Sequence, residues 1–158
     1  MQLSVPPFFV AEGWIGGKEG CTVTTQRPTF LMVTEVRAGG VFGYVRKERK
    51  EQIEIKGEGI GWAALRYKKR RQTCIGVYVQ PQTKLEELES LLGEASGAIG
   101  EGEGVVIGDF NAYHTRWANK QPNTRGKAID QWAETEGLRL LNEYDIPTRR
   151  QTVRGTIK

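Results

Sequence analysis

At 158 residues, with 38% hydrophobic and 27% charged residues and four tryptophans, the chain has the size and composition of one ordinary globular domain. No run reaches the roughly 18 to 20 consecutive apolar residues a membrane helix needs, and Val5-Pro6-Pro7-Phe8-Phe9-Val10 lacks the basic flank of a signal peptide, so no membrane association is expected and the reading is intracellular. The net charge of +4 is uneven, since the first eighty residues carry six excess positive charges and the remainder two excess negative ones, so the basic half is suited to phosphate.

Residues 1–27 are rich in Gly and Pro without sustained periodicity and read as a poorly patterned N-terminal edge, with a short strand around Cys21 to Thr24. The patterned domain is expected over 28–158. Phe30–Val36, Gly40–Val45 and Gln52–Ile55 are short, β-rich and bounded by Gly or charge, which predicts an antiparallel meander. Ile60–Leu65 and Thr73–Val79 continue it, the latter apolar enough to be a central strand buried on both faces. The clusters Arg46-Lys47-Glu48-Arg49-Lys50 and Arg66-Tyr67-Lys68-Lys69-Arg70-Arg71 fall where hairpin tips belong. Such tips are usually just solvated; nucleic-acid contact and a nuclear localisation signal are the functional alternatives. Cys21 and Cys74 are too few for a disulfide framework and read as buried thiols.

Thr83-Lys84-Leu85-Glu86 fits a capping box, followed by Leu85, Leu88, Leu91 and Leu92 at helical spacing, with Glu86, Glu87 and Glu89 facing out. The Gly-rich stretch from Gly97 to Gly104 ends this helix and leads into Val105-Val106-Ile107, expected as a short buried strand. Arg125 to Glu136 predicts a second helix with Ala128, Ile129, Trp132 and Ala133 inward and Gly137 as its stop, and Leu138–Leu141 is expected as a strand. Strands interleaved with helices favour a mixed α/β sheet architecture.

The sharpest chemical feature is the strand Val105-Val106-Ile107 running into Gly108-Asp109-Phe110-Asn111. If the backbone stays extended, Asp109 and Asn111 point to one side and Phe110 to the core. Asp109 is able to take a proton from water or bind a hard cation, and Asn111 to donate to a phosphate oxygen, a pair suited to phosphodiester hydrolysis. Asp and Asn beside Gly are also the commonest turn residues, and on spacing alone the turn is the more frequent outcome. His114, the only histidine, is compatible with a general acid, a ligand or a loop donor.

Four landmarks then recur in order: Val106-Ile107-Gly108-Asp109-Phe110-Asn111-Ala112-Tyr113-His114-Thr115-Arg116-Trp117, Asn123-Thr124-Arg125-Gly126, Gly137-Leu138-Arg139-Leu140-Leu141-Asn142 and Pro147-Thr148. With the strand ending Val77-Tyr78-Val79-Gln80-Pro81, they resemble the endonuclease/exonuclease/phosphatase superfamily, and within it the apurinic-like endonucleases of non-LTR retrotransposons, over roughly residues 30 to 155.

The resemblance implies a DNase I-like fold, a four-layer sandwich of two mixed β-sheets flanked by helices. It implies Mg2+ or Mn2+ held by Asp109, which orients and deprotonates the attacking water, and Asn111 positioning water and the scissile phosphate. Tyr78 would offer its hydroxyl to the phosphate, although an aromatic at the end of a core strand is also an ordinary packing residue. The implied substrate is DNA, with a reverse transcriptase module in the same polyprotein and a nuclear site of action.

The family's metal-binding Glu, upstream, and its Ser-x-Ile-Asp segment and terminal His, downstream, have no counterpart, and Tyr113 and Ala118 stand where His and Gly are commoner. The expectation is therefore a fragment of a magnesium-dependent endonuclease, incomplete at both ends. A non-catalytic DNA-binding remnant and a phosphatase or phosphodiesterase of the same superfamily are the alternatives.

Overall fold

The computed structural model describes residues 8–11, 30–32, 41–117 and 121–142, and the chain divides into two units, Met1–Asn111 and Ala112–Lys158. The expected strand at Cys21–Thr24 and the stretch from Val33 to Gly40 lie outside the described residues.

In the first unit, Val41, Gly43 and Val45 are buried at every second position, the period of a strand with one covered face. This strand, β3 (Val41–Arg46), is the centre of a three-stranded antiparallel sheet between β1 (Phe8–Ala11) and β2 (Phe30–Met32). Phe9 lies opposite Gly43 and Leu31 opposite Val45. A strand at Phe8–Ala11 departs from the expected loop: four residues are too few to show a period, so only pairing with β3 reveals it.

The expected single meander is split. After β3 the chain forms a 3-10 helix, Lys47–Gln52, and then enters a second sheet of four strands: β4 (Ile53–Gly59), β5 (Trp62–Tyr67), β6 (Gln72–Tyr78) and β7 (Glu103–Asp109). Their order is β4-β5-β6-β7, antiparallel except for the parallel pair β6 and β7. The first basic cluster is thus a helical turn between sheets, while the second forms the β5–β6 hairpin turn. The split has a packing cause. Val45 of β3 clusters with Ile53 of β4 and Leu65 of β5, so leaving the first sheet lets these three apolar side chains cover one another.

Strands β5 and β6 are buried along most of their length, as expected for β6. β7 differs from expectation: Val105 and Val106 are half-buried and Ile107 is 56% exposed, because β7 pairs with β6 alone among the described residues. The β6–β7 crossover is α1 (Leu85–Ile99), which buries Leu88, Leu91, Leu92, Ala95 and Ala98 and packs against β4, β5 and β6. Trp62 of β5 is tied to it by a hydrogen bond from Nε1 to Glu94 Oε2 at 2.9 Å. The helix starts one residue later than the expected box. Thr83 N–H donates to Gln80 O in a turn, so Lys84 becomes the N-cap and its N–H donates to the Glu87 carboxylate at 2.9 Å.

In the second unit, α2 (Thr124–Thr135) buries Gly126 and Ile129, with Ala128, Trp132 and Ala133 half-buried. It ends in a Schellman motif, with Gly137 at φ +64°, Gly137 N–H donating to Glu134 O and Leu138 N–H to Ala133 O. That cap explains why Leu138–Leu141 is not the expected strand. Leu138 is committed to closing the helix, and Leu141 is 66% exposed. Among the described residues, no helix is long and apolar enough to cross a membrane.

Candidate active site

The geometry at the end of β6 and β7 begins with a glycine. A Cβ on Gly108 would stand 2.1 Å from the carbonyl oxygen of Val77, so only glycine lets β7 run this close to β6. The close approach carries on into the next hydrogen bond, Val79 N–H to Asp109 O at 2.9 Å. In this register Tyr78 and Asp109 are partners. Partners in a parallel ladder lie side by side with their side chains on the same face, so a phenol and a carboxylate share one strand end. On its other side, β6 is fixed by Tyr78 N–H donating to Gly61 O at 2.7 Å, in the β4–β5 turn.

Beyond Asp109 the backbone does not stay extended. Asn111 sits at φ +46°, a left-handed conformation that asparagine tolerates better than most residues. Its N–H donates to Asp109 Oδ1 at 3.1 Å, an Asx turn, and its Nδ2 donates to Val79 O at 2.8 Å. Of the two arrangements open from the sequence, an extended strand end and a turn, the structure has the turn. The turn itself brings the two groups together, and Asn111 is clamped to the end of β6. Asp109 is exposed, Tyr78, Phe110 and Asn111 half-buried.

The second unit has its own cluster. His114 Nδ1 accepts from the Arg116 N–H at 3.3 Å, its Nε2 lies 3.7 Å from Asp130 Oδ2, and its ring stacks on Trp117 at 5.0 Å. Arg116 bridges Asp130 and Glu134 on α2. Sequence reasoning missed Asn123. Its side chain accepts from Gly126 N–H at 2.8 Å as an N-cap and from Tyr113 N–H at 3.1 Å, while its own N–H donates to Tyr113 O at 3.0 Å. A Cβ on Gly126 would fall 1.9 Å from that same Tyr113 oxygen. The Asn-Thr-Arg-Gly landmark is thus a staple between the 112–117 loop and α2, and Asn directly before a helical run was the signal for it.

No group of three or more His, Cys, Asp or Glu that could hold a metal ion occurs among the described residues. Magnesium binds through one or two carboxylates and keeps several waters. The exposed Asp109 carboxylate, with Oδ1 engaged by the Asn111 N–H, fits as one such ligand.

A mixed four-stranded sheet with α1 packed against it matches the fold of a DNase I-like endonuclease domain. The family model of the endonuclease-reverse transcriptase matches residues 73–157, more than half of the chain, including Tyr78, Asp109, Asn111 and His114. The chain belongs to that family. Among solved structures it is similar to the endonuclease domain of TRAS1, a telomere-specific non-LTR retrotransposon, with a TM-score of 0.60 and 21% identity. That likeness, one of fold, covers 77% of this chain and 58% of the other, so this chain spans less than two thirds of the other's length. No curated protein matches the chain.

Proposed function

We propose that this chain is part of a retrotransposon-type endonuclease that nicks DNA by metal-assisted phosphodiester hydrolysis, working beside a reverse transcriptase module in the nucleus. The observation that carries the reading is the pairing of Tyr78 with Asp109 at the carboxyl ends of parallel strands, the place where open α/β sheets receive ligands. The contacts of β3 with β5 and β6, and of α1 with β4, β5 and β6, support a four-layer sandwich as the complete architecture.

In this reading Asp109 orients a water and takes its proton as the oxygen attacks phosphorus, while the P–O bond to one sugar oxygen breaks and that oxygen leaves as a hydroxyl after taking a proton from solvent. Asn111 spends one amide hydrogen on Val79 O, which fixes the plane of the amide and leaves its other hydrogen and its carbonyl oxygen to align water and phosphate. Tyr78 donates its hydroxyl to a non-bridging oxygen as charge develops there. His114, with Nδ1 occupied by the Arg116 N–H and Nε2 facing Asp130, holds its loop rather than moving a proton. A magnesium or manganese ion, held in part by Asp109, would supply Lewis-acid neutralisation of the phosphate.

The test is nicking of supercoiled plasmid by the full chain with Mg2+ or Mn2+, against the Asp109→Asn variant. Loss of a principal member of such a site costs on the order of 10³-fold or more in rate. Nicking that survives in Asp109→Asn would refute the assignment, and cleavage of soluble phosphoesters in preference to DNA would redirect it to a phosphatase.

A further inference from the structure

The two basic clusters lie some twenty residues apart in sequence, yet the fold joins them. Lys68 N–H donates to Gln52 O at 2.9 Å, so the end of the 3-10 helix is bonded to the β5–β6 turn. Ile53 and Tyr67 are register partners immediately inside this junction. Arg49 from one element and Arg70 from the other both act electrostatically on the Tyr67 phenol. This is the end of the sheet where β6 begins, and Tyr78 lies at the other end of that strand. Six residues of rise at about 3.3 Å separate the two, roughly 20 Å.

The acidic groups nearby do not cancel the charge. Glu101 pairs with Arg71 at 3.3 Å and its carbonyl oxygen accepts from Arg66 at 3.1 Å, and Arg49 is held by Gln52 at 3.1 Å. Lys50, Lys68, Lys69 and Arg70 are exposed and have no ion-pair partner among the described residues, although Glu48 and Glu51 stand exposed on the same 3-10 helix. We propose that Lys50, Lys68, Lys69 and Arg70 form a second nucleic-acid-binding surface, gripping the phosphate backbone about 20 Å from the strand end that carries Asp109.

Charge complementarity selects the partner. A surface of unpaired cations drawn from two elements suits a polyanion whose phosphates repeat along its length. A nuclear-import signal needs an extended segment. Lys68 to Arg71 form a tight turn whose flanking residues, Tyr67 and Gln72, are paired with each other in the ladder, so the turn cannot extend without breaking the hairpin. The surface does not depend on Asp109, and binding measured in EDTA therefore separates it from the proposed catalysis.

The experiment is fluorescence anisotropy of a labelled DNA duplex with the full chain in EDTA across a salt series. Each phosphate contact contributes about 0.9 to the slope of log K against log salt. Replacing Lys68, Lys69 and Arg70 by Gln should therefore lower the slope by roughly 2 to 3 and weaken binding at least about tenfold at low salt. Lys50→Gln, on the other element, should weaken binding as well. Circular dichroism confirms that each variant is folded. Unchanged affinity and slope in the triple variant overturns the proposal. An effect of the turn variant without one from Lys50→Gln overturns the two-element surface. Unaltered DNA binding with lost nuclear accumulation assigns the turn to import instead.

Discussion

The side-chain amide of Asn111 donates to the carbonyl oxygen of Val79 at 2.8 Å, across 32 residues of sequence. Val79 in turn donates its N–H to Asp109 O, and Asn111 N–H reaches Asp109 Oδ1. The ends of β6 and β7 are thereby closed into a ring of three hydrogen bonds, in which the residues proposed to handle water and phosphate are held by the backbone of the neighbouring strand. Positioning the site and terminating the sheet are one structural event.

Asn111→Asp tests that ring. Aspartate tolerates the same left-handed backbone but replaces the donor with a carboxylate facing the Val79 carbonyl, so the hydrogen bond becomes a repulsion. The expected loss is about 1–3 kcal/mol in chemical denaturation, with nicking reduced. A variant as stable as the parent would show that the ring adds nothing to the fold.

Two glycines should behave oppositely. Gly108→Ala forces a Cβ into the Val77 carbonyl, backbone against backbone, and should cost at least about 1–3 kcal/mol because neither strand is free to yield. Gly93, inside α1, has nothing within 4 Å of a built Cβ, so Gly93→Ala should stabilise by roughly 0.5–1 kcal/mol through helix propensity alone. Urea midpoints of the two variants that move in the same direction would contradict this reading.

What the sequence revealed follows from which signals are local. Thr73–Val79 announces a central strand because burial on both faces removes polar residues, and Leu88, Leu91 and Leu92 announce α1 because one face is covered. The change of sheet after β3 left no such trace, since Lys47–Gln52 is uniformly polar and its geometry is set by where Val45 finds Leu65. Leu138–Leu141 misled because a Schellman cap uses an apolar residue just past the helix, where a strand would also place one. At the site, the Gly-Asp-Phe-Asn pattern and a turn within it were legible because both are local, but the Val79 partner of Asn111 comes from a segment 32 residues away.

Tyr78→Phe isolates the phenol. The ring and its place beside Asp109 remain, so stability should be unchanged while the nicking rate falls by about 10²-fold, the cost of removing one donor aimed at developing charge. A variant that nicks at the parental rate would return Tyr78 to a packing role.

Alkaline stability should reflect Cys74 and Tyr67. Burial pushes the Cys74 thiol up, and burial, then the neighbouring Cys74, pushes the Tyr67 phenol up against the opposing influence of Arg49 and Arg70. Both folded values lie above the unfolded ones, so the unfolded chain loses its protons first. The contribution to stability is full below the unfolded thiol value of about 8.5 and is lost as pH rises toward the folded values. Denaturant midpoints should therefore fall between about pH 8.5 and 10, with a smaller fall in Cys74→Ala. Equal slopes in both proteins would exclude Cys74 as a cause.

Thr73 offers the opposite kind of test, a site where removing a polar atom should help. It is fully buried in β6, and its Oγ1 has no hydrogen-bond partner among the described residues. An unsatisfied buried hydroxyl costs roughly 1–3 kcal/mol, and valine keeps the β-branched shape that suits a central strand. Thr73→Val should raise stability by about 1 kcal/mol, a shift of roughly 2–4 °C in Tm for a chain of this size. Thr73→Ala removes the same hydroxyl but also a methyl group, leaving a void that offsets the gain. The order Val above Thr, with Ala below Val, identifies the orphaned hydroxyl as the cause; a loss in Thr73→Val would mean that it finds a partner in solution.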